Sequence, residues 1–598
     1  MVSILAFQAL AATQGSPPAV CTAALTPIPA IQGRGQQAAI TGRVSVRGVV
    51  VGDFEGPSPA LRGFYLQDAH GDGDPATSDA IFVFSGGNRD LVALGQVVAV
   101  FGTAGEFQGQ TQISASTITV CGPVAAVTPV DIHLPFPDHG FAERYEGMLV
   151  RFPQTLYVTE TFQLGRFGQV TLAAGGRLMQ PTAVAAPGAA AAAVRTANEL
   201  RSIVLDDAFN DQNPDPIGSG RSGQPLSASN SLRGGDSVTG LVGLLGYHWA
   251  GHEASGNTYR LRPLGALGGV VPEFVAENRR PDVPEVGGSV KVAFLNAQNY
   301  FITLGSRGAA TETELGRQRA KLVAALLALG ADVVGLSEIE NGGAALADLV
   351  ARLNLALGAE VYAAVTTGTI GTDEISVALI YRHDRLSLVG AHAILDDSFD
   401  PAFRDPLNRP VLAQSFDDRA GERFTVAVAH LKSKGDASGC ERLFRDYDQG
   451  DGQGNCNATR AAAAAVLAGW LATDPTGSGD PDLLIIGDLN AYAKEDPLRL
   501  LEAAGYLGLQ GTFHGAGSYT YVFGGEWGAL DHALASESLL PQVLGAAAWH
   551  VNADEPNVLD YNVEFKSPRQ LASLYAPDQF RFSDHDPLVV GLQLSGGR

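Results

Sequence analysis

The pattern of hydrophobic and polar positions changes near residue 280 of this 598-residue chain. Between residues 40 and 122, apolar or alternating runs are separated by clusters of Gly, Pro and Asp, as in TGRVSVRGVVVGDF, LGQVVAVFGTAGEF and QTQISASTITVC. Short strands interrupted in this way are typical of a small antiparallel β-barrel. Residues 144–265 show a similar order of strands in a more divergent form, which indicates an internal duplication and a second β-rich domain.

Beyond residue 289 the pattern predicts strands that alternate with helices. VKVAFLNAQ predicts a buried strand, and residues 312–329 place Leu315, Leu322, Leu326 and Leu329 on one helical face. Further strands are predicted at 375–382, 424–433, 482–490 and 587–594, and further helices at 457–472 and 495–503. Interleaved strands and helices predict a layered domain. The polar, Pro- and Gly-rich stretch 274–289 is the best candidate for a linker before it.

The charge of the chain restricts the kind of partner it can have. It has 40 Lys and Arg against 63 Asp and Glu, a net charge of −23. Proteins that only coat nucleic acid are normally basic, because phosphate contacts dominate their affinity. The composition therefore argues against passive nucleic-acid binding, whereas an enzyme can act on a polyanion with the help of divalent cations and local Arg and Lys. The sequence has no apolar stretch of the about 18 residues that a membrane span requires.

The four cysteines indicate an exported protein. None lies in a C-x-x-C motif, which argues against zinc. Cys440 and Cys456 bracket a Gly- and Asp-rich stretch, and Cys21 and Cys121 bracket the first β-rich segment, so we predict one disulfide within each pair. Disulfides persist in oxidising compartments, so we expect a secreted, extracellular or periplasmic location; the alternative is four reduced thiols in a cytosolic protein.

The N-terminal sequence gives a second, weaker indication of export. MVSILAFQALAA ends in Ala-Leu-Ala, which is like a signal-peptide cleavage site, but lacks the usual Lys or Arg before the apolar run. We interpret residues 1–39 as an N-terminal segment that includes the remnant of a signal peptide.

Several predicted strands of the C-terminal half end in polar residues, namely Asn296, Glu338, His430, Asp488, Asn490, Asp584 and His585. A buried strand tolerates such groups only where it leaves the core, and several strand ends on one rim of a sheet form a natural site. Carboxylate and amide oxygens suit a hard divalent cation, and two histidines beside them suit acid–base chemistry. Each residue alone carries little information; their order along the chain carries more.

That order resembles the endonuclease/exonuclease/phosphatase superfamily, which has the DNase I-like fold. The matching motifs are FLNAQN (294–299), LSEIEN (336–341), HLKSKG (430–435), GDLNAY (487–492), LDHALAS (530–536) and SDHDP (583–587). Within the superfamily, GQGNCNATR, NAYAKEDP and VNADEPNVLDYN resemble ExeM/NucH-type extracellular nucleases. GFYLQDAHGDGDPATSDAIFVF resembles the OB-fold-like domain that often precedes such nucleases.

The resemblance implies an α+β fold class: a four-layer α/β-sandwich preceded by one or two antiparallel OB-like barrels. The predicted divisions are an N-terminal segment at 1–39, an OB-like domain at 40–122, a second β-rich domain at 123–273, a linker at 274–289 and a catalytic domain at 290–598.

The resemblance also implies roles for individual residues. Asn296, Glu338 and Asp584 would hold the metal, which we expect to be Mg²⁺ or Mn²⁺. Asp488 and Asn490 would orient the attacking water and the phosphate. His585 would act as general base or electrostatic stabiliser, with Asp531 fixing its tautomer and His532 as a bystander. His430 would contact a phosphate oxygen or assist the leaving group.

Other residues are candidates for substrate or ion binding on less specific sequence evidence. Asn299, Lys432, Lys434 and Arg460 are predicted to contact substrate, although a surface salt bridge is as good an interpretation for each cation. Phe64, Tyr65 and Phe107 are candidates for stacking on bases, against the commoner outcome of core packing. The loop DAHGDGDPATSD could take Ca²⁺ as an additional structural ion, but it lacks the EF-hand ligand pattern, which favours a plain polar turn.

The predicted function is a secreted, metal-dependent nuclease that hydrolyses phosphodiester bonds of extracellular DNA, with RNA as an open alternative and no protein partner implied. Two other hypotheses remain: a phosphodiesterase of the same fold that acts on another phosphoester, and a non-catalytic extracellular nucleic-acid-binding protein. The OB-like segment argues against the first of these, and the intact set of acidic and histidine residues argues against the second.

Overall fold

The computed structural model describes residues 19–22, 24–58, 60–122, 124–263, 272–276, 279–435 and 437–594. The predicted signal-peptide sequence lies outside the described residues, as do residues 277 and 278 of the predicted linker. The described residues fall into two compact units. The barrel unit lies within 1–153, 206–211 and 240–270, and the sandwich unit lies within 154–205, 212–239 and 271–598.

The barrel unit is built around a closed five-stranded barrel with the strand order β1-β2-β3-β5-β4. It contains α1 (Ile28–Gln32), β1 (Gly42–Phe54), β2 (Gly63–Gln67), β3 (Ala80–Phe84), β4 (Val97–Phe107) and β5 (Gln110–Gly122). Val46, Phe64, Val83 and Val98 are among the residues of its core. Four of its five strand pairings are antiparallel, as predicted, and β3 runs parallel to β5. A ring with an odd number of strands cannot alternate in direction all the way round.

The elements that follow are distributed over both units. They are β6 (Val130–Asp131), β7 (Leu149–Glu160), α2 (Leu164–Phe167), β8 (Val170–Ala174), β9 (Leu178–Met179), α3 (Pro181–Val184), α4 (Ala189–Leu200), β10 (Ser202–Leu205), β11 (Ser237–His248) and β12 (Thr258–Pro263). In the barrel unit, residues 243–248 of β11 pair with β12. In the sandwich unit, β8 pairs with β10 and with the end of β7. The predicted domain at 123–273 therefore contributes to both units, and its boundaries stay a prediction.

The remaining elements form two six-stranded sheets, β15-β16-β14-β13-β26-β25 and β17-β18-β19-β20-β24-β21. The strands and helices up to residue 471 are β13 (Val290–Tyr300), α5 (Glu312–Leu329), β14 (Val333–Glu340), α6 (Ala344–Leu357), β15 (Tyr362–Ala364), β16 (Ile375–Arg382), β17 (Ser387–Leu395), β18 (Arg409–Asp417), β19 (Arg423–His430), α7 (Ser438–Phe444) and α8 (Asn457–Leu471). The others are β20 (Leu483–Asp488), α9 (Asp496–Ala503), β21 (Tyr506–Gly508), α10 (Leu509–His514), β22 (Tyr521–Phe523), β23 (Glu526–Gly528), β24 (Asp531–Ser536), β25 (Val543–Ala548), α11 (Pro568–Ser573) and β26 (Leu588–Leu592).

These elements stack in four layers, as predicted. Leu315, Leu322, Leu326 and Leu329 of α5 pack with Leu295 and Leu336 on the outer face of the first sheet. Leu467 and Trp470 of α8 pack with Ile485 on the outer face of the second sheet. Between the sheets, Phe294 and Val428 share one apolar cluster. The sheets approach closely at Gly335, where a Cβ would lie 2.7 Å from the Cδ1 atom of Ile486. The fold is therefore the predicted helix–sheet–sheet–helix sandwich.

Both predicted disulfides are present. Cys21 is bonded to Cys121 in the barrel unit, and Cys440 is bonded to Cys456 just before α8 in the sandwich unit. Closing loops in this way stabilises a fold by about 2–4 kcal/mol per bond. Among the described residues there is no helix whose length and hydrophobicity would let it cross a membrane.

Residues 154–205 and 212–239, which we call the bracing segment, are built into the sandwich unit. Its strand β9 pairs in parallel with β23. The Thr159 hydroxyl donates to the Gly525 carbonyl at 2.6 Å, and the Trp527 indole N–H donates to the Thr159 carbonyl at 2.8 Å. Arg233 forms ion pairs with Asp554 at 3.3 Å and with Glu555 at 3.0 Å, and all three side chains are fully buried. The segment is thus held by specific polar contacts.

Candidate active site

The strand ends of the two sheets bring the predicted polar residues to one rim. His430 at the end of β19 lies opposite Asp488 of β20, and Asp488 lies opposite Asp531 of β24. In the other sheet, Asn296 of β13 lies opposite Ser337, the residue before Glu338. Register alone therefore places three of the predicted side chains in one row.

The backbone leaves regular strand geometry at this rim. The pairing of β13 with β14 shifts between Asn296 and Tyr300. Asn299, Glu338 and Asn490 have left-handed φ values of 51°, 58° and 48°. Such conformations are costly for residues other than glycine and concentrate at functional sites, where the surrounding structure enforces them. Here they allow the backbone N–H of Asn299 to donate to the Glu338 carboxylate at 3.0 Å.

His585 and Asp531 form a buried dyad. His585 Nδ1 lies 2.8 Å from Asp531 Oδ2, and the Tyr521 ring lies 4.5 Å from the imidazole, centroid to centroid. Burial by itself lowers the pKa of His585, but the surrounding carboxylates, Asp531 first, outweigh it and raise that pKa well above its usual value. The geometry therefore favours an imidazolium whose orientation Asp531 fixes.

His532 is adjacent to Asp531 in sequence but points to the other face of β24. Its Nε2 lies 2.8 Å from the Ala491 carbonyl oxygen, and burial lowers its pKa. Successive strand residues face opposite sides of a sheet, so the strand that presents Asp531 to the rim directs His532 away from it.

His430 differs electrostatically from His585. Its Nε2 lies 3.6 Å from Asp488 Oδ2 and 3.4 Å from Arg409 Nη1, and Arg409 is itself paired with Asp373 at 3.0 Å. Burial lowers the pKa of His430 well below its usual value, and the charge of Arg409 lowers it further. The rim thus holds one histidine favoured in the neutral form and one favoured in the charged form, a separation typical of acid–base sites.

Asp488 lies between the two histidines. Burial raises the pKa of Asp488 to about 7, and the Asp531 carboxylate adds to this shift against the opposing charge of His585. The backbone N–H of Asn490 donates to Asp488 Oδ1 at 2.9 Å, and the Asn490 amide group donates to the Leu431 carbonyl at 3.1 Å. Asn490 therefore fixes the orientation of a carboxyl group that can exchange a proton near neutral pH.

The donor atoms at the rim fit a hard divalent cation. Burial raises the pKa of Glu338, and the nearby charge of Asp584 raises it further, so two carboxylates face each other unfavourably. Buried Asn299 Oδ1 and Asp531 Oδ1 have no hydrogen-bond partner among the described residues. Ligand atoms of Asp488, Asp531 and His585 also lie within 4.8 Å of one another. Oxygen donors suit Mg²⁺, Mn²⁺ or Ca²⁺ better than zinc, and all four cysteines are in disulfides.

The structure gives less support to the predicted substrate contacts of the basic residues. Lys434 Nζ donates to Glu495 and to the Gln453 carbonyl, both at 2.6 Å, and burial lowers the pKa of Lys434 to about 8. Arg460 is fully buried and donates to the carbonyls of Lys432, Asn455 and Gln453. These cations hold the chain around the Cys440–Cys456 disulfide, and their phosphate contacts remain predictions that this geometry does not favour. Lys432 is also largely buried, at 8% exposure.

The three residues of the barrel unit that were candidates for stacking on bases differ in exposure. Phe64 and Tyr65 are fully buried, so they pack in the core, whereas Phe107 is 56% exposed. In the proposed calcium loop, Asp72 accepts the Asp74 backbone N–H at 2.8 Å, as in a plain polar turn, and Asp74 pairs with Arg34.

Sequence reasoning did not identify the residues that hold the His585 loop. Asp586 accepts from the backbone N–H groups of Asn552 and Ala553, and His550 Nδ1 lies 2.8 Å from its carboxylate. Asn552 also donates to the His585 carbonyl at 2.6 Å. The motif VNADEPNVLDYN, quoted above only for its family likeness, was the available signal for these contacts.

The chain matches one family model and is similar to several solved structures. Residues 295–585 match the model of the Endonuclease/Exonuclease/phosphatase family. No curated protein matches the chain. Among solved structures, the human Nocturnin catalytic domain with bound sulfate is 16% identical, covers 51% of this chain and 94% of its own, and has a TM-score of 0.33.

Two further solved structures are similar at the same level. Mannosyl-6-phosphatase Bt3783 of Bacteroides thetaiotaomicron is 15% identical over 51% of this chain and 99% of its own, with a TM-score of 0.35. D. rerio TDP2 complexed with a single-strand DNA product is 14% identical over 50% of this chain and 97% of its own, with a TM-score of 0.32. Similarity at this level does not identify a substrate. The family match, the six motifs and the four-layer sandwich lead to one conclusion: residues 295–585 of this chain belong to the endonuclease/exonuclease/phosphatase family.

Proposed function

We propose that the chain is a secreted, divalent-metal-dependent nuclease that hydrolyses phosphodiester bonds of extracellular DNA, with RNA as the open alternative. The observation that carries the proposal is the dyad of Asp531 and His585. Asp488 lies next to the dyad, and neutral His430 lies near the Asp488 carboxylate. The two disulfides support an oxidising compartment.

In this mechanism, Asn296, Glu338 and Asp584 would hold the cation, which when bound offsets negative charge on the phosphate. The high pKa of His585 favours the charged form, so we assign it the role of electrostatic stabiliser at the scissile phosphate. Asp531 holds that imidazolium in place. Asp488, with a pKa of about 7, orients the attacking water and accepts its proton.

His430 is assigned the contact with a phosphate oxygen. As a neutral imidazole it can donate one hydrogen bond to a phosphate oxygen without adding charge. Its Nδ1 has no hydrogen-bond partner among the described residues, so it retains the capacity to bind a further group.

The test is hydrolysis by the purified full chain of duplex DNA, single-stranded DNA, RNA and bis(4-nitrophenyl) phosphate, with Mg²⁺ or Mn²⁺ and with excess chelator. We expect cleavage of DNA with either cation and none with chelator. A preparation carrying His585→Ala controls for contaminating nuclease. Full activity in excess chelator, or hydrolysis of the small phosphodiester without cleavage of any nucleic acid, would overturn the proposal.

A further inference from the structure

Three large aromatic side chains of the sandwich unit are unusually exposed. Phe565 is 83% exposed, Phe523 is 73% exposed and Phe162 is 65% exposed. Large apolar residues are normally buried, and exposed ones that cluster mark binding surfaces. These three come from distant parts of the sequence but line adjoining cavities.

The cavities connect the three rings to the active-site rim. The inner one, of about 310 Å³, is lined by Phe523, Phe162, Tyr521, Arg581 and Asp584. The outer one, of about 400 Å³, is lined by Phe162, Phe565, Arg166 and Lys566. Because both cavities share Phe162 and Asn557, they form one path, which we call the aromatic groove. Asp584, the residue before His585, lines its inner cavity.

The side chains that line the aromatic groove include five carboxylates and three cations. Lys566 is paired with Asp560 at 3.2 Å. Glu555, which lines the inner cavity, has no exposed side-chain surface and is paired with Arg233 and Arg279. Attraction of phosphates is therefore not the main force that this groove offers. Its distinctive chemistry is aromatic faces open to solvent, and such faces bind nucleobases by stacking.

The bracing segment fixes the position of Phe162. Thr159, three residues earlier, is held by Gly525 and Trp527. Three residues later, Gly165 approaches Val558 so closely that a Cβ would lie 2.8 Å from the Val558 Cβ atom. The ring is thus carried between two anchored points, so ordering it on binding costs less than ordering a free loop would.

We propose that the aromatic groove binds unpaired bases of a single-stranded nucleic acid next to the scissile phosphate, with Phe523, Phe162 and Phe565 as stacking platforms. The inference rests on the proposed nuclease function and narrows its substrate to unpaired strands. In a duplex the base faces are covered by their neighbours, so a paired strand gains nothing from the three rings.

The test measures binding separately from cleavage. Fluorescence anisotropy with the full chain in excess chelator compares a labelled DNA single strand, the same strand with abasic sites, and the duplex. Stacking contributes about 1–3 kcal/mol per base, so Phe523→Ala, Phe162→Ala and Phe565→Ala should each weaken binding of the base-bearing strand by about 5-fold or more. Binding of the abasic strand and the duplex should not change.

Matched variants give the controls. Phe523→Tyr keeps a stacking face and should retain affinity. Phe399→Ala removes a 49% exposed ring that lines neither cavity and should have no effect. Hydrolysis of bis(4-nitrophenyl) phosphate should stay at the wild-type rate in all of these variants. If a variant with all three rings replaced by Ala bound the single strand as tightly as the wild type, the proposed role of the aromatic groove would be wrong. If that variant also still cleaved DNA, the proposed nuclease function would be unaffected. If instead the wild type bound the single strand but cleaved no nucleic acid, the nuclease function would be wrong and the binding role of the groove would be kept.

Discussion

Two regions of the sandwich unit contain buried charged side chains, which are neutralised by partners in one region and left with an excess of negative charge in the other. In the bracing segment, Arg233 and Arg177 neutralise Asp554, and Arg233 also neutralises Glu555. At the rim, four carboxylates surround one imidazolium, and Glu338 and Asp488 have raised pKa values as a result of burial and of their neighbours. A buried charge that is neutralised by a partner is a structural contact whose loss destabilises the fold, whereas an excess of one sign held in place is typical of a site prepared for a ligand. Burial alone does not separate the two cases.

The largest expected effect comes from removing the neutralised region. A truncated chain of residues 290–598 lacks the whole bracing segment, so Asp554 and Glu555 lose their ion-pair partners Arg177 and Arg233 together with the chain that covers them. Breaking a buried ion pair costs about 3–5 kcal/mol, and a domain has only about 5–15 kcal/mol in total. We expect the truncated chain to lose cooperative unfolding, measured by circular dichroism during heating. The predicted domain boundary at residue 290 implies the opposite: an independent fold that cleaves small phosphodiesters.

A single substitution sharpens this prediction. Arg233→Ala in the full chain should lower the free energy of unfolding by about 3–5 kcal/mol. Exposed Arg195 of the same segment is the matched control, and Arg195→Ala should change stability by at most about 0.5 kcal/mol. Equal stability of the two variants would show that the buried pairs do not hold the segment.

The same two regions show what the sequence can predict. Glu338 and Asp488 are predictable because each lies near the end of an apolar strand, whereas His585 precedes β26 and is predictable only from the order of the motifs. The bracing contacts are not predictable, because Arg233 and Asp554 are 321 residues apart and nothing local to either identifies the other. Lys434 illustrates the same limit: its motif indicates a substrate contact, while its carboxylate partner Glu495 lies 61 residues away. Patterns show where a strand leaves the core, but not which distant side chain meets it there.

The next prediction concerns His585, the charged histidine of the rim. His585→Ala removes the imidazolium that faces the proposed phosphate position, so kcat should fall by about 10²–10⁴-fold. Steady-state hydrolysis of single-stranded DNA at saturating Mg²⁺ measures this, with circular dichroism to show that the fold is kept. A folded variant with wild-type kcat would remove His585 from the mechanism.

Asp531→Asn should have the next largest effect. It keeps the size of the side chain but removes the charge that most raises the pKa of His585 and fixes its orientation. We expect kcat to fall by about 10²-fold, at the lower end of the range for loss of a general acid or base. NMR titration of the metal-free protein should show a lower pKa for His585 in the variant, since the carboxylate that favours its protonated form is gone. An unchanged His585 pKa would mean that Asp531 acts in some other way.

The smallest effect on catalysis is expected at His532, the neighbour of Asp531 on β24. Its imidazole bonds the Ala491 carbonyl on the face of the strand directed away from the rim. His532→Ala therefore removes a buried hydrogen bond, which costs about 1–3 kcal/mol of stability by leaving a buried acceptor without its donor. It does not change the charge facing the phosphate, so kcat should stay within a few-fold of the wild-type value. The pair His532→Ala and His585→Ala thus separates loss of stability from loss of catalysis. If a folded His532→Ala protein lost as much kcat as His585→Ala, the direction in which β24 presents its side chains would not decide which histidine is catalytic, and the assignment of the dyad would be wrong.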